Sequence, residues 1–190
     1  MSVLVGLLIS QTALLSGCAA AVIAGAAAGT AAVYDRRTTG TFIDDEFIEL
    51  KAMDAIGKDQ ELHEQTHLNV TSFNSIVLLT GEAPNEALRQ RTAELVRNLP
   101  KVRKVHNEIV VAAPSSLLSR TGDTWITGKV KTKLLSAHQM DATRVKVVTE
   151  NGVVYLMGLV TRQEADAATD VTRQVDGVQR VVKIFEYIDS

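Results

Sequence analysis

The sequence predicts an α+β protein made of two tandem αββαβ modules, each a small three-stranded mixed sheet packed with two helices. Three observations point there. Residues 42–112 and 122–189 match each other along their whole length. Phe47-Ile48 aligns with Trp125-Ile126, Asn69 with Lys146, Gly81 with Gly158 and Val102 with Val178, and two single-residue slips accommodate the drift in offset. Within each copy, apolar spacing changes from helical to alternating and back. The dipeptide Asn151-Gly152 between two Val-rich runs is a two-residue hairpin signal, because both positions favour left-handed dihedrals.

The elements of the second copy follow in order. Over 125–135, Ile126, Val130 and Leu134 recur every four residues and define one buried helical face. Segment 144–149 alternates, with Val145 and Val147 between polar neighbours, as a half-buried strand does. After the Asn151-Gly152 turn, 153–159 returns as the partner strand. Thr161 caps a helix running to about Val175, and Glu164 three residues later completes a capping box. Gly177 ends that helix and 178–188 forms the closing strand. The first copy repeats the order, with Pro84 near the start of its second helix and Pro100 beyond its end. Both copies are too long for solenoid units and predict two separate small domains, 42–112 and 122–189. Segment 113–121, opening on Ala113-Pro114-Ser115-Ser116, is the expected linker, and Asp123 the expected N-cap of the helix after it.

The amino-terminal part has a different character. No charged residue precedes Asp35, and a short apolar stretch ends in Leu15-Ser16-Gly17-Cys18. A short apolar run closed by small residues is the pattern of a cleaved secretory signal. Leu-Ser-Gly-Cys resembles the lipobox of bacterial lipoproteins, which implies a signal peptide over 1–17, diacylglycerol on the sulfur of Cys18, and an Ala/Gly-rich spacer over 18–41. The only cysteine of the chain has no intramolecular disulfide partner, in keeping with that use. Met1-Ser2-Val3 lacks the basic residue that opens such signals, so a start upstream of Met1 is expected. The competing reading is an uncleaved transmembrane helix over 3–33, with Gly25 and Gly29 as a packing pair. Ser10-Gln11-Thr12 interrupts that run. By analogy with lipoprotein sorting, Ala19 after the cysteine favours the outer membrane, facing the periplasm.

A strand ending in Gly81 or Gly158, then a helix and a closing Val-rich strand, is similar to the BON domain. Asp123-Thr124-Trp125-Ile126-Thr127 and the segment from Val154 to Thr161 carry the likeness most specifically. Two such domains behind a lipobox resemble the dual-BON outer-membrane lipoproteins.

Composition and motifs narrow the chemistry. A formal charge of −2 argues against broad nucleic-acid binding, which leaves a basic footprint. His63-Glu64-Gln65-Thr66-His67 spells H-E-x-x-H, the pattern of zinc proteases on a helix. It abuts the strand beginning at Leu68, where a short connection is expected, and neither His106 nor His138 is spaced as a third ligand. No Gly-x-Ser-x-Gly elbow or Gly-rich phosphate loop exists. The expectation is a protein with no catalytic site, metal or cofactor.

The informative feature is a difference between the copies. On the helix of copy two, Trp125 points away from the buried stripe, beside Lys129 and Thr132, with Gly128 and Leu135 further round. With aromatics only 4% of residues, an outward Trp among Lys129, Lys131 and Lys133 suits a membrane interface. The same helix of copy one carries Asp44, Asp45, Glu46, Glu49 and Asp54 against the base Lys51, and an anionic membrane should repel it; copy one is left for packing or protein contact. Resemblance to the dual-BON lipoproteins implies anionic phospholipid binding (phosphatidylglycerol, cardiolipin) by the first helix of the second domain. Carried onto this chain, that role falls on Trp125, Gly128, Lys129, Lys133 and Leu135, then on Ile126, Lys131 and Thr132. The bland alternative has Trp125 covering the linker or wedged between modules. A second functional reading is an envelope adaptor whose partners are proteins such as the outer-membrane assembly machinery.

Overall fold

The computed structural model describes residues 35–113, 117–137 and 140–189. Thr38 begins the first helix, its hydroxyl accepting from the Thr41 N–H, and helix α1 runs Thr39–Lys58, starting inside the expected spacer. Asp59 then caps a six-residue helix α2, Gln60–Gln65, where a mere connection was expected. Strands β1 (His67–Phe73) and β2 (Ile76–Ala83) pair antiparallel about an Asn74-Ser75 turn in which both residues have positive φ. Helix α3 (Glu86–Arg97), capped by Asn85, leads to β3 (Lys104–Asn107), parallel to β2. The closing strand breaks where the Asn107 side chain accepts from the Ile109 N–H, and β4 (Val110–Val111) resumes against β2. The first sheet thus counts four strands.

The second module follows the same plan. Helix α4 (Leu117–Ser136), a 3₁₀ turn (Ala142–Arg144), β5 (Val145–Glu150), β6 (Val153–Val160), α5 (Arg162–Arg173) and β7 (Arg180–Tyr187) give a sheet in order β5-β6-β7. The capping box of Thr161 and Glu164 is present. The fold is therefore the α+β duplication expected from sequence, each sheet mixing one antiparallel with parallel pairing. Gly158 permits β6 to pass close to the chain entering β5: a Cβ there would lie 2.5 Å from the Arg144 carbonyl oxygen.

Two expectations about α4 are corrected. The helix begins at Leu117, inside the segment taken as linker, and continues through Gly122, where no atom crowds the backbone. Asp123 is not a cap. It lies within the helix, buried, and its carboxylate accepts from the backbone N–H groups of Asn151 and Gly152, both at 2.8 Å. Asp45 does the same in module one. Its oxygens accept from the Ser72 hydroxyl and the Asn74 and Ser75 N–H groups at 2.6–2.7 Å and pair with Arg37 at 2.7 Å. A two-residue turn leaves its own amides without ladder partners, and burial makes such orphans costly. One helix carboxylate per module meets that need.

The modules are not separate beads. In β2, Val77 and Leu79 pack with Ile48, Ala52 and Val96 beneath their own helices, while Ile76 and Leu78 face the other sheet. In β6, Val154 and Leu156 join Val130 and Leu134, while Tyr155 and Met157 meet Phe73, Ile76 and Leu78. The result is an α/β/β/α sandwich with the two helix pairs on opposite outer layers. Polar contacts fasten its edges: Asn69 to Glu150 at 3.0 Å, Asn151 to Glu82 at 2.8 Å, Lys146 to Glu49 at 2.8 Å, and Arg103 to Glu186 at 2.7 Å. Burial pushes the Glu150 carboxyl above its ordinary range; the hydrogen bond from Asn69 opposes this, and the nearby Glu82 and Asp123 add to it. All three core clusters found among the described residues lie within the compact unit Arg36–Ser190, so that stretch has a core of its own.

Candidate functional site

Helix α4 presents one face to solvent and holds it rigidly from behind. Val130 and Leu134 are fully buried, and Ile126 packs half-buried over Gly177 and the second core. Ile126 is thus partly buried at the edge of the core. On the outer side Trp125 and Leu135 are each 70% exposed, the most open large apolar side chains among the described residues. Trp125 therefore does not wedge between the modules. Gly128 lies between them with open space where a Cβ would stand, and Thr132 bends back to the Gly128 carbonyl at 2.9 Å. The resulting surface is an indole and a leucine separated by small residues, open to a flat partner.

The three lysines are not equivalent. The Lys129 ammonium donates to the Asp176 carbonyl, and that of Lys133 to the Gln174 carbonyl at 3.0 Å. Both thereby satisfy carbonyls just past the end of α5, where cations suit the helix dipole. Each ammonium has three donors, so one bond leaves two for another acceptor. Lys131 is exposed and lines a hollow of about 170 Å³ with Leu134, Leu135, Ala142 and Val147. Structure thus brings Trp125, Gly128, Thr132 and Leu135 together on one face, with Lys131 to one side and Lys129 and Lys133 to the other. The sequence pattern had no means to show the tie to α5.

The counterpart helix α1 departs from its acidic reading. Asp45 is internal, Glu49 accepts from the Ser72 N–H and Lys146, and Asp44 pairs with Lys101 at 2.6 Å. Outward, the exposed side chains Phe42, Ile43, Phe47, Leu50 and Met53 are interspersed with the exposed charges of Glu46, Lys51 and Asp54. The apolar ones lie opposite Ile48, Ala52 and Ile56. Sequence reasoning weighed the charges and missed these apolar side chains, although their spacing was legible.

The H-E-x-x-H residues fall on two elements. His63 and Glu64 belong to α2, while His67 opens β1, so the two imidazoles do not share a helix face. Among the described residues no cluster of His, Cys, Asp or Glu suits a metal ion. His106 lies in β3, its pKa lowered by burial and by Lys104. Among the described residues, no helix is long and apolar enough to cross a membrane. Cys18, the segment 3–33 and His138 lie outside the described residues.

Comparison with known proteins agrees with this architecture. The BON domain model matches twice, at residues 44–113 and 122–189. "Outer membrane lipoprotein DolP" of Haemophilus influenzae is 39% identical over 183 residues, covering 96% of this chain and 95% of that protein. The "21 kDa hemolysin" of Actinobacillus pleuropneumoniae is 38% identical over 154 residues, 81% and 79% of the two chains. "Osmotically-inducible protein Y" of Escherichia coli is 31% identical over 145 residues, 75% and 72% of the two. With two stacked copies of the αββαβ module and a full-length match at this identity, the chain belongs to the BON domain family, as a dual-domain member of the DolP group.

Proposed function

We propose that this chain is an outer-membrane lipoprotein, anchored through acyl chains on Cys18 and facing the periplasm, that recognises anionic phospholipid with the outer face of α4 and supports envelope integrity. The exposed Trp125, set among cations on a rigid helix, is the observation that carries the reading. An indole at headgroup depth has an apolar body and a polar N–H, and the flanking ammonium groups meet phosphate oxygens. Leu135 extends the apolar contact by almost three turns, and the small residues between let the helix lie flat.

Magnitudes favour a tethered, salt-sensitive contact. Each lysine near an anionic surface contributes about 1 kcal/mol, roughly fivefold in partitioning. Lys129 and Lys133 contribute less than that while they hold the end of α5. Stable attachment comes from the acyl chains, which keep α4 at high effective concentration, so the helix sets orientation and lipid choice. The name of the Haemophilus relative places that protein in the outer membrane and supports the same location here.

The test is sedimentation of the Arg36–Ser190 unit with phosphatidylglycerol or cardiolipin vesicles, with phosphatidylcholine vesicles as the neutral control. Binding in low salt that falls with added salt, and is lost in Trp125→Ala and reduced in Lys131→Glu, is expected. Equal binding by wild type and Trp125→Ala, or indifference to vesicle charge, refutes the site.

A further inference from the structure

The inner face of β3 is polar where the rest of the layer between the sheets is apolar. Lys104 pairs with Ile76 and His106 with Leu78 in the parallel register, and Ile76 and Leu78 face the second sheet. Paired residues of neighbouring strands leave the sheet on the same side, so Lys104 and His106 face that layer too, while Val105 between them packs with the first core on the opposite side. In copy two the same register sets Val182 beside Tyr155 and Ile184 beside Met157, and these apolar side chains fill the layer. A departure from a pattern that the other copy keeps is where function is expected. Between β3 and β7 lies a slot of about 400 Å³, lined by Ile76, Arg103, Lys104, His106, Ile184 and Glu186, among others. That volume is within the range of small-molecule sites.

The charges of the slot are unequal. Arg103, Lys104 and Lys183 line it against the single carboxylate of Glu186. Arg103 is held by Glu186 at 2.7 Å, and Lys183 leans toward Asp166 of α5 at 3.8 Å. The Lys104 ammonium and the His106 imidazole make no hydrogen bond or ion pair with the described residues. Burial holds the imidazole below its ordinary pKa, and Lys104 lowers it further, against the smaller opposing effect of Glu108. Glu108 and Arg180 act on the buried Tyr155 hydroxyl and do not line the slot. An oxyanion between Lys104 and His106 supplies what both lack. It accepts from the ammonium, and its charge favours proton uptake by the imidazole, which then donates as well. A cation would meet the uncompensated Lys104, and an apolar occupant would desolvate that ammonium without giving it a partner.

We propose that the slot between β3 and β7 binds a phosphate group, with Lys104 and His106 as its donors and room beside it for a small esterified alcohol. The slot shares no residue with the outer face of α4, so this inference stands apart from lipid binding by that helix.

The experiment follows the histidine ring signals of Arg36–Ser190 by NMR, with the His106 signal identified by its loss in His106→Gln. Inorganic phosphate, glycerol 1-phosphate and phosphatidylglycerol vesicles are added in turn, with sodium chloride at matched ionic strength as the control. Both soluble phosphates are expected to shift the His106 signal saturably and to raise the pH at which it titrates. Binding should be about tenfold tighter below that pH than above it, the worth of one hydrogen bond to a charged partner. Lys104→Gln, at an exposed position that leaves the core untouched, should weaken binding by a similar factor, and Trp125→Ala should leave it unchanged. A response to the soluble phosphates alone assigns the ligand to free phosphate compounds; one that extends to vesicles in Trp125→Ala assigns it to lipid headgroups. No response of His106 to either soluble phosphate, a response matched by sodium chloride, or undiminished binding by Lys104→Gln overturns the proposal.

Discussion

Replacing Asp45 with Asn tests whether one buried carboxylate holds the first hairpin to its helix. The side chain is 2% exposed and makes four polar contacts. One oxygen accepts from the Ser72 hydroxyl at 2.6 Å and the Ser75 N–H at 2.7 Å; the other accepts from the Asn74 N–H and the Arg37 guanidinium, both at 2.7 Å. Asparagine keeps one acceptor and turns an NH₂ group toward donors on the other side. Two hydrogen bonds to a charged group are lost, at about 1.5–3 kcal/mol each. Arg37 keeps its position over the Phe73 ring, 4.0 Å from the centroid, which softens the loss. The expected destabilisation is about 3–5 kcal/mol, the range for breaking one member of a buried ion pair. That is a large share of the roughly 5–15 kcal/mol by which domains are stable. The control is Asp54→Asn on the same helix, whose exposed pair with Lys58 makes a change within about 0.5 kcal/mol the expectation. Guanidinium unfolding of Arg36–Ser190 reads both as shifts in midpoint at constant slope. Because the sheets share a core, one transition is expected rather than two. If Asp45→Asn shifts the midpoint no more than Asp54→Asn, the hairpin does not depend on that carboxylate.

Two further perturbations follow from the geometry. Burial alone would raise the Glu164 carboxyl, but hydrogen bonds from Arg36, the Thr161 N–H and Arg144 outweigh it and hold the pKa down at about 2, against an ordinary 4.5. A depressed folded-state pKa contributes stability that is present above the unfolded value and is lost as pH falls through the folded one. The stability gap between wild type and Glu164→Gln should therefore be full near neutrality and shrink from about pH 4.5 toward pH 2; a gap constant across that window in acid titrations contradicts the assignment. Gly158→Ala forces a Cβ to 2.5 Å from the Arg144 carbonyl oxygen, at a cost of about 1–3 kcal/mol or more. Gly128→Ala meets open space in the middle of α4 and should stabilise by about 0.5–1 kcal/mol. Thermal unfolding that moves both variants in one direction refutes this contrast.

The sequence by itself determined the repeat, the order of elements in each copy, the Asn151-Gly152 turn, the capping box at Thr161 and the outward placement of Trp125. Each depends on local chemistry: periodicity, turn dihedrals and caps operate within a few residues of chain. What it could not decide depends on which distant groups meet. Asp123 looks like an N-cap in sequence because Asp before an apolar helical run usually is one; only the approach of the hairpin 28 residues away makes it an internal acceptor. The run from Ile76 to Leu79 carries no alternation, since β2 is buried on both sides, and a continuous apolar stretch does not say what covers its second face. Lys129 and Lys133 are free cations on a helical wheel and become caps of α5 only when the helices pack. The acids of α1 likewise dominate its sequence, yet tertiary pairing internalises Asp45 and engages Glu49, so the face it shows mixes apolar side chains with the remaining charges. Local spacing sets which way a side chain leaves its own helix; the partner it finds there is chosen by the stacking of two sheets, which brings together residues that no short window contains.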